Sequence, residues 1–140
     1  MTVAEEGGAS RIHHLGDGYE PHVDEYAGKL HYLIPVDSGF ASRSFDFEIA
    51  RADLAVLLAD PYRRAVLEVT AHVLLQHSMQ QDVADATQEL FRDLLDRALH
   101  SPPERLKALI DEVDRTHKAG VNAYVQQILQ RRAGAKQAAG

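Results

Sequence analysis

The feature that most constrains this chain is the segment 60–79, DPYRRAVLEVTAHVLLQHSM, which is apolar around most of its circumference once wound as a helix. Asp60 offers a side-chain acceptor to the first free amides, and Pro61 at the first helical position gives up an N–H that would have had no partner, so a helix should start here. At about 100° per residue, Val66, Leu67, Val69, Thr70, Val73 and Leu74 fill an arc wider than a one-sided stripe, leaving Arg64, Glu68, His72 and Gln76 on a narrow polar strip. Such a helix has to be covered on most sides, so the rest of the chain is expected to pack around it. The strip itself reads as an Arg64–Glu68–His72 ladder of neighbours one turn apart.

The hydrophobic period changes at Ala50. Before it, segment 29–34 (KLHYLI) places Leu30, Tyr32 and Ile34 on one face, and segment 43–49 (RSFDFEI) turns Phe45, Phe47 and Ile49 inward with Ser44, Asp46 and Glu48 outward. These predict an antiparallel pair over 29–49, joined by PVDSGFAS, with 11–15 (RIHHL) as a candidate third strand and 1–28 otherwise an irregular acidic segment. After Ala50 the spacing is helical. Leu54, Leu57 and Leu58 of a short helix should lie over the Phe face, and the residue pair before Pro61 ends it. A break at 80–82, with Asp82 as cap, precedes a helix over 83–99 whose stripe is Val83, Thr87, Leu90, Phe91, Leu94 and Ala98. Ser101-Pro102-Pro103-Glu104 reads as a capping box with proline in the first turn. Beyond it, Leu106, Ile110, Val113, His117, Gly120 and Tyr124 make one seam that runs on to Ile128; either one helix continues to Arg132 or it breaks at Gly120, and 133–140 should fray. The expected fold is α+β, in a single domain 1–140: a short antiparallel sheet of two or three strands near the N-terminus, followed by a four- or five-helix bundle packed on it.

Composition excludes several kinds of chemistry. With no cysteine there is no disulfide, thiolate metal site or cysteine nucleophile. No run of about 18 apolar residues is present and the N-terminal residues are acidic, so neither a membrane span nor a secretory signal is expected and the location expected is cytoplasmic. The formal charge of −6 is uneven along the chain: residues 1–60 hold eleven acids and four bases, while 61–140 hold ten acids and eleven bases. Nucleic acid needs clustered cations and is not an expected partner; a basic protein suits such a front end better.

Few residues point to catalysis. His13-His14 followed by Asp17 offers imidazole and carboxylate to an ion, but at a spacing that matches no metal motif, so no metal and no cofactor are expected. Glu68 and His72 lack the Glu-x-x-His and His-Glu-x-x-His spacings of metal helices. His77 and His117 sit on or beside apolar faces and would couple if their helices packed together. Glycine-rich phosphate loops and nucleophile elbows are absent, and the chain is not expected to be an enzyme. Weight falls instead on a partner-binding set: Asp17, Glu20, Asp24 and Glu25 before the strands, Asp37, Asp46 and Glu48 on or beside them, with Tyr26 and Phe40 as aromatic anchors and Tyr19 nearby.

A small, acidic, cysteine-free domain with a short sheet, several helices and no catalytic signature resembles the immunity proteins of bacterial polymorphic-toxin and contact-dependent growth inhibition systems, most closely over residues 31–79. The resemblance implies a cytosolic protein that binds and neutralises a cognate toxin, often a nuclease with a basic cleft, with Asp17, Asp24, Glu25, Asp46 and Glu48 as electrostatic plugs. Two other classes stay open: a ligand-binding, metal-binding or enzymatic domain using histidines, with a pocket between sheet and central helix, and a homo-oligomer paired through the 106–128 helix.

Overall fold

The structure, a computed structural model, describes residues 11–37, 39, 41–80 and 88–139. Four antiparallel strands come first, β1 (Ile12–Leu15), β2 (His22–Tyr26), β3 (Lys29–Asp37) and β4 (Ser42–Ile49), lying side by side in the order of the sequence. The helices α1 (Arg51–Ala59), α2 (Pro61–Gln80), α3 (Gln88–Leu99), α4 (Pro103–His117) and α5 (Val121–Ala139) follow. The layout is α+β as expected, with four strands in place of two or three. The cap expected at Asp82 and the stripe residues Val83 and Thr87 lie outside the described residues, as does Phe40.

β1 falls on the candidate third strand 11–15, and the fourth strand, β2, comes from the segment expected to be irregular. Residues 22–26 (HVDEY) alternate, but only Val23 is an apolar residue on the inward face, so the period-2 signal was carried by a single side chain. The β2–β3 turn is also unusual: Ala27 and Gly28 both take positive φ, 54° and 76°, where such two-residue turns normally use Asn-Gly or Asp-Gly. The strands further along match expectation closely. Leu30, Tyr32, Ile34 and Val36 of β3 and Phe45, Phe47 and Ile49 of β4 are all buried on the face that meets the helices. Phe47 stacks on Phe91 of α3 with ring centroids 4.1 Å apart, which ties the sheet to the bundle.

Helix α2 is the covered element. Ala65, Val66, Leu67, Val69, Thr70, Ala71 and Leu75 are buried, and the Thr70 hydroxyl donates to the Val66 carbonyl at 2.7 Å, so its polar atom is satisfied inside the core. Asp60 caps it as read, accepting the Arg63 amide at 3.1 Å. Other expectations are corrected. Leu58 points to solvent while Leu54 and Leu57 go in, and Leu90 is exposed while Leu95 and Leu99 join Phe91, Leu94 and Ala98 in the core. The capping box does not form: the Ser101 hydroxyl donates back to the Arg97 carbonyl at 2.5 Å, and Pro102 is the residue before α4. Of the two alternatives for the long seam, the break at Gly120 is the one found: after His117, Lys118 (φ 53°) and Gly120 (φ 66°) reverse the chain and a separate last helix follows. Val121, Val125 and Ile128 then bury a new face while Tyr124 turns outward, and α5 is described to Ala139.

One buried charge locks the helical layer. Asp53 of α1 is fully buried; it takes both Arg92 nitrogens at 2.7 Å, His100 Nε2 at 2.7 Å and the Ala50 amide at 2.8 Å. Burial pushes this carboxyl up, but the bonds from Arg92, Ala50 and His100 outweigh it and hold the group below the usual carboxylate range. Arg63 secures the same corner by donating to the carbonyls of Ala98 at 3.0 Å and Ser101 at 2.6 Å, which α3 leaves open at its C-terminus.

Asp53→Asn is expected to cost about 3 kcal/mol at neutral pH, the low end for breaking a buried pair because Arg92 can recover water. Because the Asp53 carboxyl titrates lower in the folded chain than in the unfolded one, its contribution is complete above about pH 4 and is lost as the pH falls through the folded value. Urea unfolding of both chains across that range should show the difference narrowing in acid; a difference independent of pH would assign the loss to packing. Ala27→Asn, which relieves a left-handed alanine, should add about 1 kcal/mol of stability in the same assay.

Candidate functional site

Among the described residues, the helices cover only one face of the sheet. On the other, register pairs His13 with Asp24, Asp24 with His31, His31 with Glu48 and Leu33 with Asp46, so alternate residues of all four strands form one open surface. Its side chains are connected from edge to edge. Asp24 accepts from Arg11 Nε at 2.9 Å and faces His13 Nδ1 at 2.8 Å; the Arg11 guanidinium lies 4.5 Å over the Tyr26 ring. Tyr26 in turn stacks on His31 with centroids 4.0 Å apart and planes 4° from parallel. The Tyr26 hydroxyl donates to Asp46 Oδ2 at 3.0 Å, and His31 Nδ1 lies 2.8 Å from Asp46 Oδ1. These groups are pre-oriented, because each leans on a neighbour fixed by the strand ladder.

The β1–β2 loop organises one end of this surface. Gly16 has φ +100°, and a Cβ there would come within 2.2 Å of the Pro21 carbonyl, so the loop demands glycine. Its carbonyl lies 2.6 Å from His13 Nε2, and the Gly18 carbonyl lies 3.0 Å from His22 Nε2. The two rings sit 5.1 Å apart, and ligand atoms of His13, His22 and Asp24 all fall within 4.8 Å of one another. The His13-His14-Asp17 grouping weighed from the sequence does not assemble: His14 bonds Glu25 Oε1 at 3.0 Å, and the Asp17 backbone is tied to Glu20, its amide donating to Oε1 at 2.9 Å and its carbonyl accepting the Glu20 N–H at 3.0 Å. Donating to the Asp24 carboxylate and to the Gly16 carbonyl raises the pKa of His13. Burial pushes the Asp24 carboxyl up, and bonds from His13 and Arg11 bring it below its ordinary value.

The expected partner-binding acids divide into two groups. Three are engaged with the chain's own cations. Glu20 takes Arg132 Nε at 2.8 Å and lies 3.6 Å from Arg64, Asp24 holds Arg11 and His13, and Glu25 takes Arg51 at 2.6 Å together with His14. Glu25 is lowered by His14 and Arg51; Glu20 is raised by burial and lowered further by the Asp17 amide, Arg132 and Arg64. Asp46 and Glu48 instead keep 46% and 52% of their side-chain surface, the latter 3.6 Å from Lys29. Asp37 is exposed and accepts the Ser42 hydroxyl, and Asp17 is exposed in the loop. Tyr26 lies between the two groups, its hydroxyl pushed up by burial and by Asp46. His22 and His31 were missed as members of this surface; the alternation of HVDEY beside KLHYLI was the signal that would have placed them there.

A second concavity lies where α2 and α5 meet the end of β3. This groove of ≈ 550 Å³ is lined by Pro35, Glu68, His72, His117, Tyr124 and Arg131 among others. Glu68 does not join an Arg64–His72 ladder; it takes Arg132 at 2.6 Å. His77 and His117 do meet, edge to face with centroids 4.9 Å apart, and burial followed by the nearby His77 lowers the pKa of His117. Among the described residues, no helix is long and apolar enough to cross a membrane. Compared with known proteins, the chain matches no protein-family model, no curated protein and no solved structure.

Proposed function

We propose that this chain is a protein-binding domain of the immunity type, which neutralises a basic toxin by presenting the open face of its sheet. The observation that carries the reading is the uncovered β3–β4 surface, where Asp46 and Glu48 stay half exposed beside the stacked Tyr26–His31 pair. Rigid aromatics flanked by carboxylates suit a partner rich in lysine and arginine: the rings supply contact area at little entropic cost, and the acids supply encounter rate and selectivity. The contact set is narrower than the full acidic front end. Glu20, Asp24 and Glu25 spend their charge internally, while Asp46 beside His31, Glu48 beside Lys29, Asp37 and Asp17 keep exposed carboxylates that could meet outside cations. The reading assigns no reaction to the chain.

A second reading is favoured by the groove between α2, α5 and β3. Apart from Glu68, which Arg132 engages, its titratable lining is His72, His117, Lys118, Tyr19, Tyr124 and Arg131, which suits a small organic anion.

Cells expressing the protein encoded immediately upstream of this chain should survive when the chain is co-expressed and die without it; survival unchanged by the chain would end the reading for that pair. With the toxin in hand, the double variant Asp46→Lys, Glu48→Lys should slow association by about 10- to 100-fold at low salt, with the effect shrinking as salt is added. The groove reading expects melting temperature to rise with small aromatic carboxylates, and the rise to vanish in Arg131→Ala.

A further inference from the structure

We propose that His13, His22 and Asp24 form a binding site for zinc or a chemically similar divalent ion on the open face of the sheet. The inference is independent of toxin binding. Two of the ligands, His22 and Asp24, are alternate residues of β2 and so project from the same face; the third, His13, is the registered partner of Asp24 on β1. The backbone ladder therefore fixes all three bases, and only side-chain torsions remain to be set.

The ligand atoms lie within 4.8 Å of one another, against about 3.3 Å for ligands of a tetrahedral ion with bonds of 2.0–2.1 Å. Closing that difference requires the imidazoles to turn about their Cβ atoms. Two hydrogen bonds already orient the rings roughly. His13 Nε2 and His22 Nε2 each lie against a backbone carbonyl of the same loop, Gly16 at 2.6 Å and Gly18 at 3.0 Å. With Nε2–H donated to a carbonyl, each ring keeps Nδ1 for the ion, the outer-shell arrangement that orients imidazole ligands in metal centres; at His13 the ion takes the place of the Nδ1 proton now shared with Asp24 Oδ1. Gly16 can serve in this way only because its φ of +100° carries no side chain into Pro21.

The carboxylate has one oxygen to give. Arg11 Nε binds Asp24 Oδ2 at 2.9 Å, which leaves Oδ1, the oxygen now facing His13 Nδ1 at 2.8 Å, for the ion. Two imidazoles and one carboxylate match zinc, cobalt, nickel or ferrous iron and not calcium or magnesium, which prefer all-oxygen shells. With His13 half exposed, three protein ligands leave at least one position open to water or to a side chain from another molecule. The sequence separation of the ligands, nine residues from His13 to His22, is set by the loop, and this hides the site from any linear motif.

The test is titration of the purified full chain with Zn²⁺ against a chromophoric chelator, followed by the same titration of His22→Ala, Asp24→Asn and His77→Ala. The expected result is one equivalent bound by the parent chain and by His77→Ala, with affinity lowered at least about tenfold in the other two. Binding unchanged in both His22→Ala and Asp24→Asn, or no uptake by the folded parent chain at tens of micromolar zinc, overturns the proposal. Should either variant melt early, Co²⁺ added to the parent chain decides: visible d–d absorption of a four- or five-coordinate ion supports the site, and the weak spectrum of the hexaaqua ion rejects it.

Discussion

Burial of α2 is the constraint on which the other elements depend. Its two small residues, Ala65 and Ala71, and its branched ones, Val66, Leu67 and Val69, leave almost no surface for water, so the helix is stable only where sheet, α1, α3 and α5 close over it. Burying one such aliphatic side chain is worth about 1.5–3 kcal/mol, and several at once outweigh the ordering of the neighbours that cover them. The sheet supplies one wall through Ile34 and Phe47. The break after His117 supplies another, because only a reversed α5 can bring Val121, Val125 and Ile128 to the helix that α4 has already passed. A single uninterrupted helix over 103–132 would have carried that apolar face away from α2.

Charge fixes how these walls sit. The acidic front half and the near-neutral back half of the sequence are not separate regions in space. Arg132 of α5 joins Glu20 of the β1–β2 loop to Glu68 of α2, and Arg92 of α3 holds Asp53 of α1. Arg64 faces Glu20, and burial lowers its pKa even with that carboxylate nearby. Each of these cations comes from the back half; of the acids they meet, Glu20 and Asp53 come from the front, and Glu68 and Asp96, the latter 2.9 Å from Arg92, from the back. Such pairs add little net stability over apolar packing, but removing one member strands the other, so they specify the arrangement more than they drive it.

The legible parts of the sequence were those where one physical signal acted alone. Phe45, Phe47 and Ile49 alternate without interruption, and Asp60-Pro61 marks a helix start with two independent cues; both stand where they were read. Strand β2 was hidden because Asp24 and Glu25 occupy its two faces: Asp24 is buried by its partners Arg11 and His13, and Glu25 is drawn to Arg51 of α1. Tertiary partners made polar residues behave as strand residues, and no local pattern reports a partner 26 positions away. Ser101 failed as a cap for a related reason, since its hydroxyl found the Arg97 carbonyl of the preceding helix first. The acids of the candidate surface could be named from composition; which of them were already engaged could not.

The open face of the sheet follows from the same economy of partners. A sheet covered on both sides needs apolar residues at successive positions, whereas β3 and β4 alternate, so nothing drives a second helical layer onto His31, Asp46 or Glu48. The face remains orderly without cover because its polar groups bond laterally: Arg11 to Asp24, Tyr26 to Asp46, and His31 to both Tyr26 and Asp46. Its β4 edge is occupied at Glu48, where the Gln88 amide takes the Glu48 N–H at 2.8 Å and donates to the Glu48 carbonyl at 2.7 Å, a place where another strand would otherwise pair. An outside molecule thus meets a flat, preset array of imidazole, phenol and carboxylate, with backbone pairing blocked at Glu48. Such an array would favour recognition through side chains, in keeping with the contact with a charged surface and the chelation of an ion proposed above.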